Sequence, residues 1–224
     1  MAWDTVWEEI FQQQEWGKYP DTELVAFVAR NFYKKNRAEV NLLEVGCGPG
    51  ANLWFMAQEG FNTFGVDGSK TAVERARKRA MQQNMRYEVQ SSDLIDLDAI
   101  FPEVYFDAIL DVECLCCNSF KNTEIILSKI AQRLKPGGLV FSRSFGNEMH
   151  VGKSNRKLAE NEFTDISDGP LAEKGFVRLL NRKNIDELYG KYFNILSVDE
   201  WRWTRDNGQV RVHDWVITAS KFEA

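Results

Sequence analysis

Residues 42–50 read Leu-Leu-Glu-Val-Gly-Cys-Gly-Pro-Gly, an apolar run broken by one acid and passing directly into three glycines at alternate positions. A strand covered on both faces is apolar throughout, so the carboxyl group of Glu44, two residues before the first glycine, needs a partner or a task. Gly46, Gly48 and Gly50 let the backbone turn sharply and admit a ligand closer than any Cβ would allow. The next segment, 51–59, has helical character, which puts the loop at a strand-to-helix turn whose free N–H groups face a ligand. A fold of alternating strands and helices follows, with a nucleotide-type ligand at this turn.

The rest of the chain extends that alternation. Trp3, Trp7, Ile10 and Phe11 share a face at three- and four-residue spacing, and after Pro20-Asp21 a second apolar stripe runs through Leu24, Val28 and Phe32. Strands are predicted near 41–46, 62–67, 86–89, 106–111 and 138–144, and helices near 51–59, 70–83 and 121–134. A polar stretch from 145 to 180 leads to a helix near 183–191 and two long strands, 193–205 and 209–220, joined by Asp206-Asn207-Gly208. Asn-Gly between two such runs is a strong hairpin signal. The predicted class is α/β: a Rossmann-like, doubly wound, mainly parallel seven-stranded sheet with a C-terminal antiparallel hairpin and N-terminal helices. Residues 1–36 read as a helical cover, and 37–224 as the main domain with an insertion at 145–180.

Composition bounds the partners. With 224 residues, 44% of them hydrophobic, the chain can bury one full-sized core. Lys and Arg total 28 against 33 Asp and Glu, a formal charge of −5, which offers no general attraction to a phosphate backbone and argues against nucleic acid. No basic-then-apolar leader pattern opens the chain and no apolar run approaches spanning length, so a soluble cytoplasmic protein with no membrane partner is expected. Three of the four cysteines crowd into Cys114-Leu-Cys116-Cys117, unlike a secreted disulfide framework. They read as small buried apolar residues, and no metal site is assigned because zinc needs a second ligand pair at suitable spacing. Arg75, Arg77, Lys78 and Arg79 read as a solvated helix face, and Trp201 and Trp203 as core packing.

The glycine loop alone does not separate two kinds of nucleotide binder. Gly46-Cys-Gly48-Pro-Gly50-Ala51 nearly fits the Gly-x-Gly-x-x-Gly/Ala pattern of dinucleotide-binding domains. Glu44, a second acid at Asp93 after strand 3, Leu134-Lys-Pro-Gly-Gly138 before strand 5 and the terminal hairpin together make residues 40–220 resemble the class I S-adenosylmethionine-dependent methyltransferases. The resemblance implies S-adenosyl-L-methionine as cofactor. It sets Gly46, Cys47, Gly48 and Gly50 against the methionine part, with Glu44 beneath supporting the loop or the amino group. It assigns Asp67, in Gly65-Val-Asp67-Gly68-Ser69, to the two ribose hydroxyls, and Ser92-Asp93-Leu94 to the adenine. Two neighbouring hydroxyls on one carboxylate form a bidentate, charge-assisted contact, which is why an acid suits that position. Asp111, ending strand 4, faces the methyl-bearing sulfur in many relatives. Asn52 and Tyr19 complete the candidate cofactor set, although Tyr19 equally suits a hydrophobic staple beside the helix that starts at Asp21.

The implied reaction is direct displacement at the sulfonium methyl, which requires an acceptor held in line and water excluded, without a metal. An oxygen acceptor benefits from a base, and the candidates are His150, just past strand 5, and Asp111 and Glu113 at the end of strand 4. His213, alternating with Arg211 and Trp215, reads as packed or solvated. Asp111-Val-Glu-Cys stands where an Asn-Pro-Pro-Tyr segment would signal amino-methylation of a nucleobase or glutamine. The segment around 14–20 and the insertion at 146–176 are polar with embedded aromatics, as expected of covers over a small ligand. The Trp-Gly-Lys-Tyr-Pro opening and Asn52-Leu-Trp54 are similar to small bacterial methyltransferases of surface-polysaccharide and other small-molecule pathways. That similarity implies a small polar acceptor such as a sugar or nucleotide sugar. The alternatives are a catalytically silent cofactor-binding module acting on a protein partner, and an NAD-dependent oxidoreductase resting on the glycine loop alone.

Overall fold

The computed structural model describes residues 3–223. Strands β1 (Asn41–Val45), β2 (Asn62–Asp67), β3 (Glu88–Ser91), β4 (Phe106–Val112) and β5 (Leu134–Phe145) pair in parallel. A terminal hairpin, whose strands Phe193–Arg205 and Val210–Lys221 become β9 and β10 after three short strands described below, adds antiparallel through β10 against β5. The seven-stranded order is β3-β2-β1-β4-β5-β10-β9, so the winding reverses at β1 and the carboxyl end of β1 opens at a topological switch point. The predicted strand near 86–89 lies two residues later, because Tyr87 is diverted to α4 (Lys70–Gln82): its hydroxyl donates to the Ala76 carbonyl at 2.6 Å.

Side chains alternate across a strand, and this decides which residues share a site. On one face Leu42, Ala108, Leu110, Phe141 and Val216 pack against α2 (Thr22–Phe32), α3 (Ala51–Gln58) and α4. On the other face Leu43, Val45, Ile109, Val140 and Ile217 pack against α5 (Phe120–Arg133) and α6 (Arg182–Tyr189). Glu44, Arg143 and Asp214 fall by parity on the α2/α3 face, while Asp111 and Ser142 fall on the α5/α6 face. Among the described residues, no helix is long and apolar enough to cross a membrane.

The polar stretch contains a feature the sequence did not disclose: a separate antiparallel sheet of β6 (Arg156–Ala159), β7 (Glu162–Thr164) and β8 (Val177–Arg178). Strands of four, three and two residues are too short to carry a legible alternation. The basic run on α4 is exposed at Arg77 and Lys78, as expected of a solvated face, but its arginines also bind backbone carbonyls. Arg75 donates to the Gln14 carbonyl at 2.6 Å and Arg79 to the Lys18 carbonyl at 2.7 Å, holding the N-terminal segment down, while Arg77 donates to the Val89 carbonyl.

The first helix, α1 (Val6–Gln13), is fastened to the start of α4 by one carboxylate. Glu8 accepts from the Ser69 hydroxyl at 2.5 Å and from the Thr71 amide and hydroxyl. Burial would raise its pKa, but these hydrogen bonds outweigh burial and hold it at about 2, below the ordinary 4.5. The folded value lies below the unfolded one, so the stabilisation is full above about pH 4.5 and disappears as pH falls through about 2. Glu8→Gln is therefore expected to cost about 1–2 kcal/mol at pH 7. Urea denaturation of both proteins should show that gap close towards pH 2; equal stability at pH 7 would remove the latch role.

Candidate active site

The glycine loop begins where β1 ends. Gly46 adopts φ +67° and a Cβ there would collide with the Cys114 side chain, so glycine is required on both counts. The loop's amides are already engaged: Gly46 and Cys47 both donate to the Val66 carbonyl, Gly48 to Asp67 Oδ2, and Gly50 to the Cys47 carbonyl. Pro49 has no N–H, so the expectation of free loop amides facing a ligand is corrected. A loop with its donors spent internally suits an apolar or cationic ligand segment better than a pyrophosphate.

Beneath the loop, Glu44 is 2% exposed and accepts from the Asn52 side chain through Oε1 at 2.6 Å. Its Oε2 is buried without a partner. Burial pushes its pKa well above the usual carboxylate range, against the Asn52 hydrogen bond and with help from nearby Asp67, Asp111 and Asp21. Asp67, at the end of β2, accepts from the amides of Gly48 and Ser69, each at 2.8 Å, one on each oxygen. Burial lifts its pKa to about 6 against those two hydrogen bonds. Each oxygen keeps a second lone-pair direction for a ligand hydroxyl.

These groups line one cavity of about 610 Å³, as do Tyr19, Cys47, Gly68, Ser92, Asp93 and Leu94. Asp93 also accepts from the Ile95 amide and so caps a short 3-10 helix, Leu94–Ala99. The residues fit S-adenosylmethionine: the orphaned Glu44 oxygen suits its ammonium group, and Asp67 suits vicinal hydroxyls. Two candidates stand back from the lining. Gly50 starts α3 at φ +81°, packed against Ala76, and Ser69 caps α4 while bonding Glu8.

The second half of the cavity is built around Arg143 on β5. Its guanidinium bonds Asp21 and Asp214, each at 2.5 Å, and its Nε lies 3.5 Å from Glu113. Asp21 meanwhile caps α2 through the amides of Glu23 and Leu24, and its own amide donates to Asn52. The chain Glu44–Asn52–Asp21–Arg143–Asp214 thus runs across the floor of the chamber. Glu113 follows β4 in the left-handed region at φ +58°, an uncommon state for a glutamate, and its side chain is 37% exposed and lines the cavity. Burial raises its pKa to about 7, with Arg143 opposing and Asp214, Asp21 and Asp111 reinforcing the rise.

Asp111 and His150 are placed elsewhere. Asp111 is 1% exposed on the α5/α6 face and accepts from the Cys114 and Leu115 amides and the Ser142 hydroxyl, so it turns the chain after β4. Burial lifts its pKa to about 6. His150 lies off the cavity lining, 2.7 Å from Asp168 within the insertion. His213 is packed, with Nδ1 accepting from the Glu148 amide. Cys116 and Cys117 are buried, as expected of small apolar residues, whereas Cys114 is half-buried and lines the cavity. Trp201 and Trp203 are 36% and 37% exposed rather than packed in the core, and Trp203 lines the cavity, because β9 is the edge strand of the sheet.

The sequence reading missed Arg143, Asp214 and Asn118 in the cavity wall. The signal was weaker there than at Glu44, because Arg143 lies between Ser142 and Ser144 and Asp214 shares its strand with Arg211 and His213, so neither stands out from an apolar run.

The comparisons with known proteins agree with this geometry. A family model described as a methyltransferase domain matches residues 42–138. A tRNA N(3)-methylcytidine methyltransferase of Schizosaccharomyces pombe is 26% identical over 198 residues, 84% of this chain and 61% of that protein. A ubiquinone biosynthesis O-methyltransferase of a Chelativorans species is 30% identical over 120 residues, 51% of this chain and 46% of that protein. The chain spans less than two thirds of the length of either relative. The solved 1,6-didemethyltoxoflavin-N1-methyltransferase of Burkholderia thailandensis, with 1,6-didemethyltoxoflavin and S-adenosylhomocysteine bound, has a TM-score of 0.66 at 19% identity, covering 90% of this chain and 78% of that one. Residues 42–138 thus match a methyltransferase domain, and with its strand order and glycine loop the chain is similar to the class I S-adenosylmethionine-dependent methyltransferases.

Proposed function

We propose that this protein transfers the methyl group of S-adenosylmethionine to a small polar acceptor, of sugar type, by direct displacement inside the chamber. The observation that carries the reading is that Glu44, Gly48 and Asp67 share one continuous cavity with Glu113, Arg143 and Trp203. Its volume of about 610 Å³ lies in the range of small-molecule sites. The N-terminal segment from residue 3 and the insertion at 145–180 act as covers that meet over it: Asp4 accepts from the Phe176 amide at 3.1 Å, and Lys174 sits 4.8 Å from the centre of the Trp16 ring. A cytoplasmic setting, with the four free cysteines reduced, fits this reading.

When bound, the cofactor supplies an activated methyl group on a sulfonium. Asp67 and Glu44 orient it, the covers exclude water, and Glu113 accepts the acceptor's proton. His150, paired with Asp168, positions the insertion instead of touching the reacting atoms. Because burial raises the Glu113 pKa to about 7, turnover is expected to rise as pH passes through that value. Mass-spectrometric detection of methylated product from sugars, nucleotide sugars and phenols tests the reading, and Glu113→Gln should lower kcat by about 10²–10⁴ and flatten the pH profile. Absence of product across the panel would favour the silent-module alternative.

A nucleic-acid acceptor is the second reading. The fission-yeast relative aligns over 84% of this chain, against 51% for the O-methyltransferase. The formal charge of −5 weighs against it. Radiolabelled methyl incorporation into bulk tRNA, exceeding that into any small acceptor, would reverse the order of the two readings.

A further inference from the structure

The acceptor half of the chamber holds more negative charge than its own residues neutralise. One guanidinium, Arg143, serves three carboxylates, Asp21, Glu113 and Asp214. Asp214 is 1% exposed; its Oδ2 takes the Arg143 bond, while its Oδ1 is buried with no partner and the residue lines the cavity. A buried carboxylate oxygen left without a donor is costly, and a ligand that donates to it recovers that cost on binding.

The hairpin register supplies the second observation. Asp214 pairs with Trp201 and Val212 pairs with Trp203, so by alternation Asp214, Val212 and Trp203 share one face. Trp203 is therefore the diagonal neighbour of Asp214, within reach of a group held by its carboxylate. An indole face beside an unpartnered carboxylate is a receptor for a cation, which gains from both. The other cations on the lining are already committed or poorly placed: Lys174 lies over Trp16 in the cover, and Arg205 sits 6.0 Å from the Trp203 ring centre, at the outer limit of such contacts.

Resting on the methyl-transfer reading, we propose that the acceptor carries a protonated amine, which docks on Asp214 against Trp203 while a different atom of the acceptor receives the methyl group. The same charge surplus disfavours acceptors bearing a phosphate or carboxylate in that half, so an aminated sugar or an arylalkylamine is the substrate class, and a nucleotide sugar is not.

Calorimetric titration of the protein preloaded with S-adenosylhomocysteine tests this with two scaffolds. The probes are tyramine, 4-methylphenol and 3-(4-hydroxyphenyl)propanoate on one, and glucosamine, glucose and glucose 6-phosphate on the other. On at least one scaffold the amine should bind at least tenfold more tightly than its neutral partner, and the anion should bind weakest. Asp214→Asn should bring the ratio of amine to neutral-probe affinity to about one, read as a ratio within the variant so that any general loss of binding from the disturbed Arg143 pair cancels. An equal or tighter neutral or anionic probe, no amine binding on either scaffold, or a preference that survives Asp214→Asn would each overturn the proposal. Failure to bind S-adenosylhomocysteine at all would instead remove the methyl-transfer reading beneath it.

Discussion

Arg143→Met is expected to cost the fold about 3–5 kcal/mol at pH 7.5, the range for breaking a buried ion pair by removing one partner. The arginine side chain is 15% exposed, and its partners Asp21 and Asp214 are 9% and 2% exposed. Burial alone would weaken its charge, yet Glu113, Asp214 and Asp21 together raise its pKa above the ordinary value. Methionine preserves much of the apolar stem but leaves the carboxylates without a cation. In the variant Glu113, already raised to about 7 by burial, loses the cation that opposes the rise, so its folded pKa lies further above the unfolded one. Stability of such groups is full at low pH and lost as pH rises, so the gap to the parent should narrow between pH 7.5 and pH 4.5. Urea denaturation at the two pH values measures this, and Arg143→Lys should recover part of the loss. A constant deficit at both would mean that packing, and not charge, is what Arg143 provides.

Asp67→Ala is expected to weaken S-adenosylhomocysteine binding by about a hundredfold or more, corresponding to about 3 kcal/mol. Two effects combine. The carboxylate receives the Gly48 and Ser69 amides, so its removal frees the glycine loop, and it also loses the acceptors for the ribose hydroxyls. Asp67→Asn keeps the shape but not the charge and should lie between the two. Since Asp67 titrates near about 6, parental affinity should strengthen as pH rises from 5 to 7, because only the ionised group offers both oxygens as acceptors. Calorimetry showing equal affinity in Asp67→Ala would end the assignment.

The parts of this molecule that were legible in the sequence are those whose cause is local. Alternation placed β2 at its observed bounds, and Asn207-Gly208 marked the hairpin between β9 and β10. The acid at Glu44 and the glycines after it announced the switch point because each departs from what a buried strand or an ordinary turn tolerates. Asp111 and Glu113 looked equivalent at the end of β4. Strand parity turns Asp111 to the α5/α6 face, and the left-handed backbone at Glu113 brings its side chain into the cavity, a conformation no residue pattern specified.

The sequence by itself thus determined the order of elements in the main sheet and pointed to Glu44, Gly48 and Asp67, which lie on two adjacent strands and the loop between them. Tertiary structure alone decided the acceptor side. Arg143 meets Asp21 across 122 residues and Asp214 across 71, and Trp203 joins the cavity lining from the edge strand β9, beside residues of the insertion. Conformational preference acts over a few bonds, whereas charge pairing acts through space, so the contacts that select an acceptor exist only once strand order and register are set.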